Sequence, residues 1–391
     1  MDNTNEDFIS KSWTDLEPNR IERLHISNFK SIKEVDIALH NLNILIGGNG
    51  AGKSNFISFF KLVRAITEGN LQDFINNDMD ALLHFGRKSK FLTGALIFGN
   101  TKTNHKNAID FSVQSKGNNG FLKSLNDRYN KGEGDVLEGN TFVNWDTKII
   151  DQNVEESTLR DRKNDYRVNY VFKYLSGFKV YHFHDTTAAS PLRAACHVND
   201  NRSLAHDGAN LPAYLYFLQL KRPLVFKRIE GTIRLVAPYF DRFDLEPNRS
   251  NDKIELRWRE KGADPDAYFN AQHLSDGTLR FIALTTLLRQ DAEDLPKTII
   301  IDEPELGLHP TAIAQLAGLL EVASRQCQVI VSTQSVELIS QFEPEDIIAV
   351  DRENRTAGTT FRRFTRAELA SWLEDYSMGE LWEKNLIGGN P

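Results

Sequence analysis

The stretch Gly47-Gly48-Asn49-Gly50-Ala51-Gly52-Lys53-Ser54 decides how the rest of the chain is read. It fits the pattern G-x4-G-K-[S/T], and its flanks suit that pattern. The apolar run Asn43-Ile44-Leu45-Ile46 leads into it as a short buried strand. Beyond it, Phe56, Phe59, Phe60, Val63 and Ile66 recur at helical spacing, and Gly69 supplies a stop. In a strand–loop–helix unit of this kind, backbone N–H groups turn inward toward phosphate oxygens, and the helix N-terminus adds partial positive charge. Lys53 is expected to reach the β- and γ-phosphates, and the Ser54 hydroxyl to bind Mg²⁺. Gly47, Asn49, Gly50, Ala51, Gly52 and Asn55 complete the expected cradle. The competing reading is a glycine-rich turn with a stray lysine.

Two further segments bear on the chemistry. Thr298-Ile299-Ile300-Ile301-Asp302-Glu303 is an apolar strand ending in two acids. At a strand tip beside a phosphate loop, Asp302 suits a magnesium-positioning role, and Glu303 can orient or deprotonate an attacking water. Alone, two acids after a strand read as a solvated turn. The phosphate loop upstream and Pro304-Glu305-Leu306-Gly307-Leu308-His309-Pro310 downstream favour the catalytic reading. Before that strand, Leu274-Ser275-Asp276-Gly277-Thr278 opens a helix, where Ser275 and Asp276 would be ordinary capping residues.

The order of phosphate loop, L-S-x-G and apolar strand with Asp-Glu resembles the ATP-binding-cassette (ABC) ATPases. Asn28-Phe29-Lys30-Ser31-Ile32, Asn55 after the G-K-S, and D-E-P-E-L-G-L-H-P resemble the RecF, SMC and OLD branch. Over about Ile21–Val350 the chain is identified as a stand-alone AAA-family ATPase of the RecF-like kind. The resemblance implies two heads closing around ATP and Mg²⁺. Ser275 and Gly277 of one copy would complete the site of the other. Lys30 and Ser31 would lie near the nucleotide, and Leu306–His309 would touch the opposite head. Three departures stand out. Asp276 and Thr278 replace the second Gly and the Gln of L-S-G-G-Q, adding a negative charge expected to slow closure or tune it to a partner. Gln334 stands where a switch histidine is expected and cannot become charged, so turnover is expected to be slow or partner-dependent. In place of a Q-loop glutamine the candidates are Gln72 and His84, each with a capping or solvated role as the alternative.

The fold class expected is α/β: a P-loop NTPase, an ABC-type head with a mixed or parallel sheet lobe and a helical lobe. No heptads appear, so long coiled-coil arms are not expected. The expected division is a flexible acidic leader (1–19) and one head (20–391). Within the head, the core lobe spans about 20–113 plus 297–360, a mobile insertion 114–168, the helical lobe 176–296 and a C-terminal helical segment 361–391. Residues 91–113 read as two strands, 211–245 as helical, and Arg366–Tyr376 as one amphipathic helix.

Composition bounds the partners. Forty-seven basic residues against 54 acidic give a net charge of -7. That excludes a uniformly basic nucleic-acid coat but leaves a local groove open. Basic clusters occur at Arg87, Lys88 and Lys90; at Arg160–Arg167; at Lys221, Arg222, Lys227, Arg228 and Arg234; and at Arg362, Arg363 and Arg366. The third is the preferred DNA contact, with solvated charge as the competing reading for each. Two distant cysteines, Cys196 and Cys327, exclude a disulfide framework, a zinc knuckle or an iron–sulfur pattern. His182-Phe183-His184-Asp185 admits a metal site, but a strand alternating buried and exposed histidines is the preferred reading. No apolar run nears the ~20 residues of a membrane span, and the N-terminus lacks a signal core, so a cytoplasmic location and no membrane partner are expected. Only 41 residues follow Val350, too few for a nuclease domain of the OLD type. The functional expectation is a dimerising ATPase acting on double-stranded DNA in repair or phage defence. The alternative is a nucleotide-gated scaffold for an effector in trans, a nuclease or toxin. A transporter ATPase subunit is the least favoured, because both signature and switch residues are altered.

Overall fold

The computed structural model describes residues 20–84, 86, 89–99, 106–130, 137–138, 141–142, 145–264, 266–352 and 358–389. The leader 1–19, Arg87 and Lys88 lie outside them. In chain order the principal strands are β1 (Arg20–Phe29), β2 (Ile32–Ala38), β3 (Leu42–Ile46), β4 (Phe91–Gly99), β5 (Lys106–Lys116), β6 (Asn119–Asn130), β7 (Asp146–Val154), β8 (Phe178–Tyr181), β9 (Thr298–Asp302), β10 (Gln328–Thr333), β11 (Ile347–Asp351) and β12 (Thr360–Arg363). The main helices are α1 (Lys53–Glu68), α2 (Tyr166–Leu175), α3 (Leu211–Lys221), α4 (Pro223–Val236), α5 (Asp276–Leu288) and α6 (Pro310–Ser324).

Strand β3 carries the phosphate loop at its C-terminal end. All five of its residues are buried, as a strand covered on both faces requires. Its sheet runs β8-β9-β10-β3-β11-β12, parallel except for β12. The pleat sends alternate residues to opposite cores. Ile44, Ile46, Ile299 and Ile301 join α5 and α6, whereas Leu45, Ile300 and Ile330 meet α1. Helix α1 is buried between two sheets. Phe59 stacks on Phe111 of the antiparallel sheet, and Phe60 meets Phe178 of β8 edge-on. In register, Ile46 pairs with Thr333 and Asp302 with Ser332. The C-terminal ends of β3, β9 and β10 therefore share one edge.

The expected α/β head is observed, with local differences. Residues 114–168, expected as a mobile insertion, carry regular structure in their described parts. They supply the end of β5, then β6, β7 and the start of α2, and β5–β7 form one side of the antiparallel sheet β2-β1-β4-β5-β6-β7. Their polar face is held by ion pairs, Arg128 to Asp110 and Arg167 to Asp127, so a charged composition there is compatible with regular strands. Helix α4 ends at Val236, and a strand follows at Phe240–Phe243. The helix expected over 366–376 stops at Leu369, and a second short helix spans Met378–Glu383. Each begins in a capping box, at Thr365 and at Ser377, and those separate starts divide the segment. Among the described residues the longest helix is α1, at 16 residues, so no coiled-coil arm occurs there.

Candidate functional site

Gly52 precedes α1 at φ 121°, and no side chain caps the helix. A Cβ at Gly52 would strike the Thr359 side chain. The loop is braced from behind by that residue. Thr359 Oγ1 donates to Ala51 O at 2.9 Å and lies 2.7 Å from Ser31 Oγ, to which Asn55 Nδ2 donates at 2.7 Å. Ser31 and Asn55 thus meet at the base of the loop, and Lys30 Nζ reaches Ser58 Oγ at 2.7 Å. Gly47 is glycine for an internal reason as well, because a Cβ there would collide with the Val350 carbonyl. Lys53 is buried and folds back onto Gly47 O and, at 3.2 Å, Gly48 O. Burial lowers its pKa, against the pull of Glu303, Asp302 and Glu305. Asn49, Gly50 and Ser54 are exposed. Uncapped N–H groups, a cation facing three carboxylates and a free first-turn hydroxyl fit a phosphate chain with its divalent cation.

The facing strand ends carry the acids. Asp302 Oδ1 accepts a hydrogen bond from Ser332 Oγ. Glu303 sits at φ 41°, a strained conformation for a non-glycine residue. It is held there as Glu303 N donates to Ser332 O at 2.8 Å. Gln334 Nε2 donates to Glu303 Oε1 at 2.7 Å. Lys53, Asp302, Glu303 and Gln334 are thereby gathered on one sheet edge.

Ser275 caps α5. Its Oγ accepts from Thr278 N at 3.2 Å and lies 2.8 Å from Thr278 Oγ1, itself 3.2 Å from Tyr239 Oη. The tip is exposed. A Cβ on Gly277 would collide with the Gly307 carbonyl, so this glycine fits α5 against the Leu306–His309 loop of its own chain. The extra charge of Asp276 does not stand free: Arg193, 5% exposed, pairs with it at 2.7 Å.

The sequence reading named His184 only as a possible metal ligand or strand residue and missed its place beside Asp302. Its Nε2 bonds Asp302 O at 2.6 Å, while buried Arg280 of α5 donates to Phe183 O and His184 O at 2.9 Å each. The topology gives the signal: His184 follows β8, the neighbour of β9, on the path from α1 to α5. Gln72 instead bonds Gly120 O and Glu155 O, and the His84 ring lies against Lys30 O. His182 and His184 are perpendicular rings 6.1 Å apart, and among the described residues no group of three His, Cys, Asp or Glu is arranged to hold a metal.

The preferred basic cluster is largely paired. Arg222 meets Glu293 and Asp294, Arg228 meets Asp291, and Arg234 meets Glu230. Lys221 and Lys227 are exposed. Arg363 bonds Asn43 and the carbonyls of Ala38 and Glu345, and Arg366 pairs with Glu343.

A loop, two acids at the end of the strand one removed from it in the sheet, and a capped L-S-x-G helix define a P-loop ATPase head of the ABC type, in the RecF/SMC/OLD branch. Residues 42–340 match the family described as "AAA domain, putative AbiEii toxin, Type IV TA system", and the chain belongs to that family. It is 24% identical to an OLD nuclease of Thermus scotoductus over 92% of this chain and 67% of that protein. It is 34% identical to an energy-coupling factor transporter ATP-binding protein of Methanothermobacter thermautotrophicus, over only 25% of this chain and 30% of that one. In fold it resembles an Smc head bound to the C-winged helix domain of ScpA (TM-score 0.58, 17% identity, 89% of this chain, 99% of that one). It also resembles the Pyrococcus furiosus Smc head with an extended coiled coil, bound to the C-terminal domain of ScpA (0.56, 14%, 91% and 99%). No helix among the described residues is long and apolar enough to cross a membrane.

Proposed function

We propose that this chain hydrolyses ATP between two copies of itself and uses the closed state to act on a partner. The Lys53 loop of one head binds the triphosphate, and the Ser275 tip of the other closes on it. Ser54 and Asp302 would hold Mg²⁺, which neutralises charge developing on the β- and γ-phosphate oxygens. Glu303 accepts the proton as water attacks the γ-phosphorus and the bond to the ADP oxygen breaks. The observation that carries this reading is the 2.7 Å contact from Gln334 to Glu303, on the sheet edge that also holds Lys53. Gln334 orients the base but cannot take up a proton, so intrinsic turnover is slow. A cavity of 580 Å³ lined by Lys30, Ser31, Asn55 and Asp78 beside the loop suits the nucleoside end.

The partner is either duplex DNA, in repair or phage defence, or an effector protein such as a nuclease or toxin, with the head as its nucleotide-gated scaffold. Pairing of Arg222, Arg228 and Arg234 with acids leaves less unpaired charge for DNA phosphates, which favours the scaffold. Glu303→Gln should lower ATP hydrolysis by about 10²–10⁴-fold, retain ATP binding and accumulate an ATP-dependent dimer on size exclusion. Unchanged turnover would remove Glu303 as the base. Duplex DNA should stimulate the wild-type rate if DNA is the partner and leave it unchanged if the chain gates a protein.

A further inference from the structure

Glu305 is a carboxylate with only 4% of its surface exposed, and its Oε2 is buried without a hydrogen-bond partner. Burying such a group is unfavourable unless something depends on it. Its other oxygen is engaged. Thr333 Oγ1 donates to Glu305 Oε1 at 2.5 Å, and Gln334 N approaches the same oxygen at 3.4 Å. Thr333 Oγ1 also accepts from Ser335 N at 3.0 Å. One carboxylate oxygen thus gathers the turn after β10 across three consecutive residues. A charged acceptor makes such bonds roughly twice as strong as a neutral one. The turn held in this way is the one from which Gln334 reaches Glu303 at 2.7 Å.

A buried acid could merely satisfy the Thr333 hydroxyl, but a neutral side chain would do that without stranding an oxygen. Glu305 lies on the loop after β9 and the turn belongs to β10, so the contact ties the two strand ends at the point where Glu303 is aimed. We propose that Glu305 is a positioning residue for hydrolysis: it fixes the Thr333–Ser335 turn so that the Gln334 amide orients the Glu303 carboxylate. This rests on Glu303 being the base and adds a residue that touches neither ATP nor water.

The test is steady-state ATPase kinetics and nucleotide affinity for Glu305→Ala, Glu305→Gln and Gln334→Ala, and for Gln334→Ala combined with Glu305→Ala, with Glu303→Gln as reference. Glu305→Ala should lower kcat about tenfold and leave ATP affinity within about threefold. Glu305→Gln keeps an acceptor for Thr333 and should recover most of the rate. Because Glu305 acts through Gln334, adding Glu305→Ala to Gln334→Ala should produce little further loss. Thr333→Val, which removes the donor and leaves Glu305 in place, should lower kcat in the same direction and covers the case in which Glu305→Ala fails to fold. Wild-type kcat in Glu305→Ala, or a fully additive double variant, overturns the proposal. If Glu303→Gln itself retains turnover, the underlying reading fails instead.

Discussion

Two helices of this chain begin in opposite ways. Helix α1 starts at a glycine with no side-chain cap, and its first residue, Lys53, is buried against its own loop. Helix α5 starts at Ser275, whose hydroxyl caps it and which lies exposed beside Thr278 and Tyr239. An uncapped N-terminus keeps its N–H groups for a ligand, whereas a capped one has used a donor and offers mainly its side chain. On the proposed function, the first tip would enclose an anion within its own chain and the second would meet a second copy. From the second tip, Arg280 and His184 run from α5 to the Asp302 carbonyl at the end of β9.

The largest effect that breaks this contrast is at the enclosed tip. Lys53→Ala removes an ammonium that faces Glu303, Asp302 and Glu305. Losing a charge-assisted contact of about 1.5–3 kcal/mol should weaken ATP binding by about 10- to 150-fold, read by calorimetry. An intermediate effect sharpens the outer tip. Gly277→Ala forces a methyl into the Gly307 carbonyl and should destabilise the fold by about 1–3 kcal/mol, read as a lower denaturant midpoint. ATP affinity of the isolated head should change little, because the collision lies away from α1.

The smallest effect lies beside His184, at the neighbouring ring of His182. Burial pushes the His182 pKa down to about 4, from 6.5 in the unfolded chain. Between those values the unfolded chain binds the extra proton, so stability rises with pH across this range. His182 therefore contributes nothing adverse above about pH 6.5 and loosens the fold progressively as pH falls toward about 4. Denaturant midpoints at pH 5 and 7.5 should differ, and His182→Asn should narrow the gap.

The parallel sheet was legible because its strands are continuous apolar runs, and because the glycine loop and the Asp-Glu pair each end one. Strand β5 was read in part within 91–113, but β6 and β7 were not. They carry charges on a half-exposed face, and their alternation breaks at register shifts between Ser112 and Val113 and between Leu125 and Asn126. Of the candidate site, the residues within short motifs could be read, but their partners could not. His184 meets Asp302 across 118 positions, and Thr359 meets Ser31 across 328. The pairing of the Lys221–Arg234 arginines was hidden for the same reason, since their acids lie at 291–294 apart from Glu230. At 366–376 the apolar spacing of Leu369, Trp372 and Leu373 overstated the helix, which ends at Leu369, while the capping box at Ser377 starts a separate short helix beyond it.

The place of β3 has a consequence for biosynthesis. The strand that carries the phosphate loop is flanked by β10 and β11, and the loop is braced by Thr359. A nascent chain that has only just delivered its glycine loop has none of these neighbours. The cradle cannot assemble as the ribosome passes it and must wait until β10, β11 and Thr359 have emerged. ATP added to arrested nascent chains should therefore protect only those extended past Thr359.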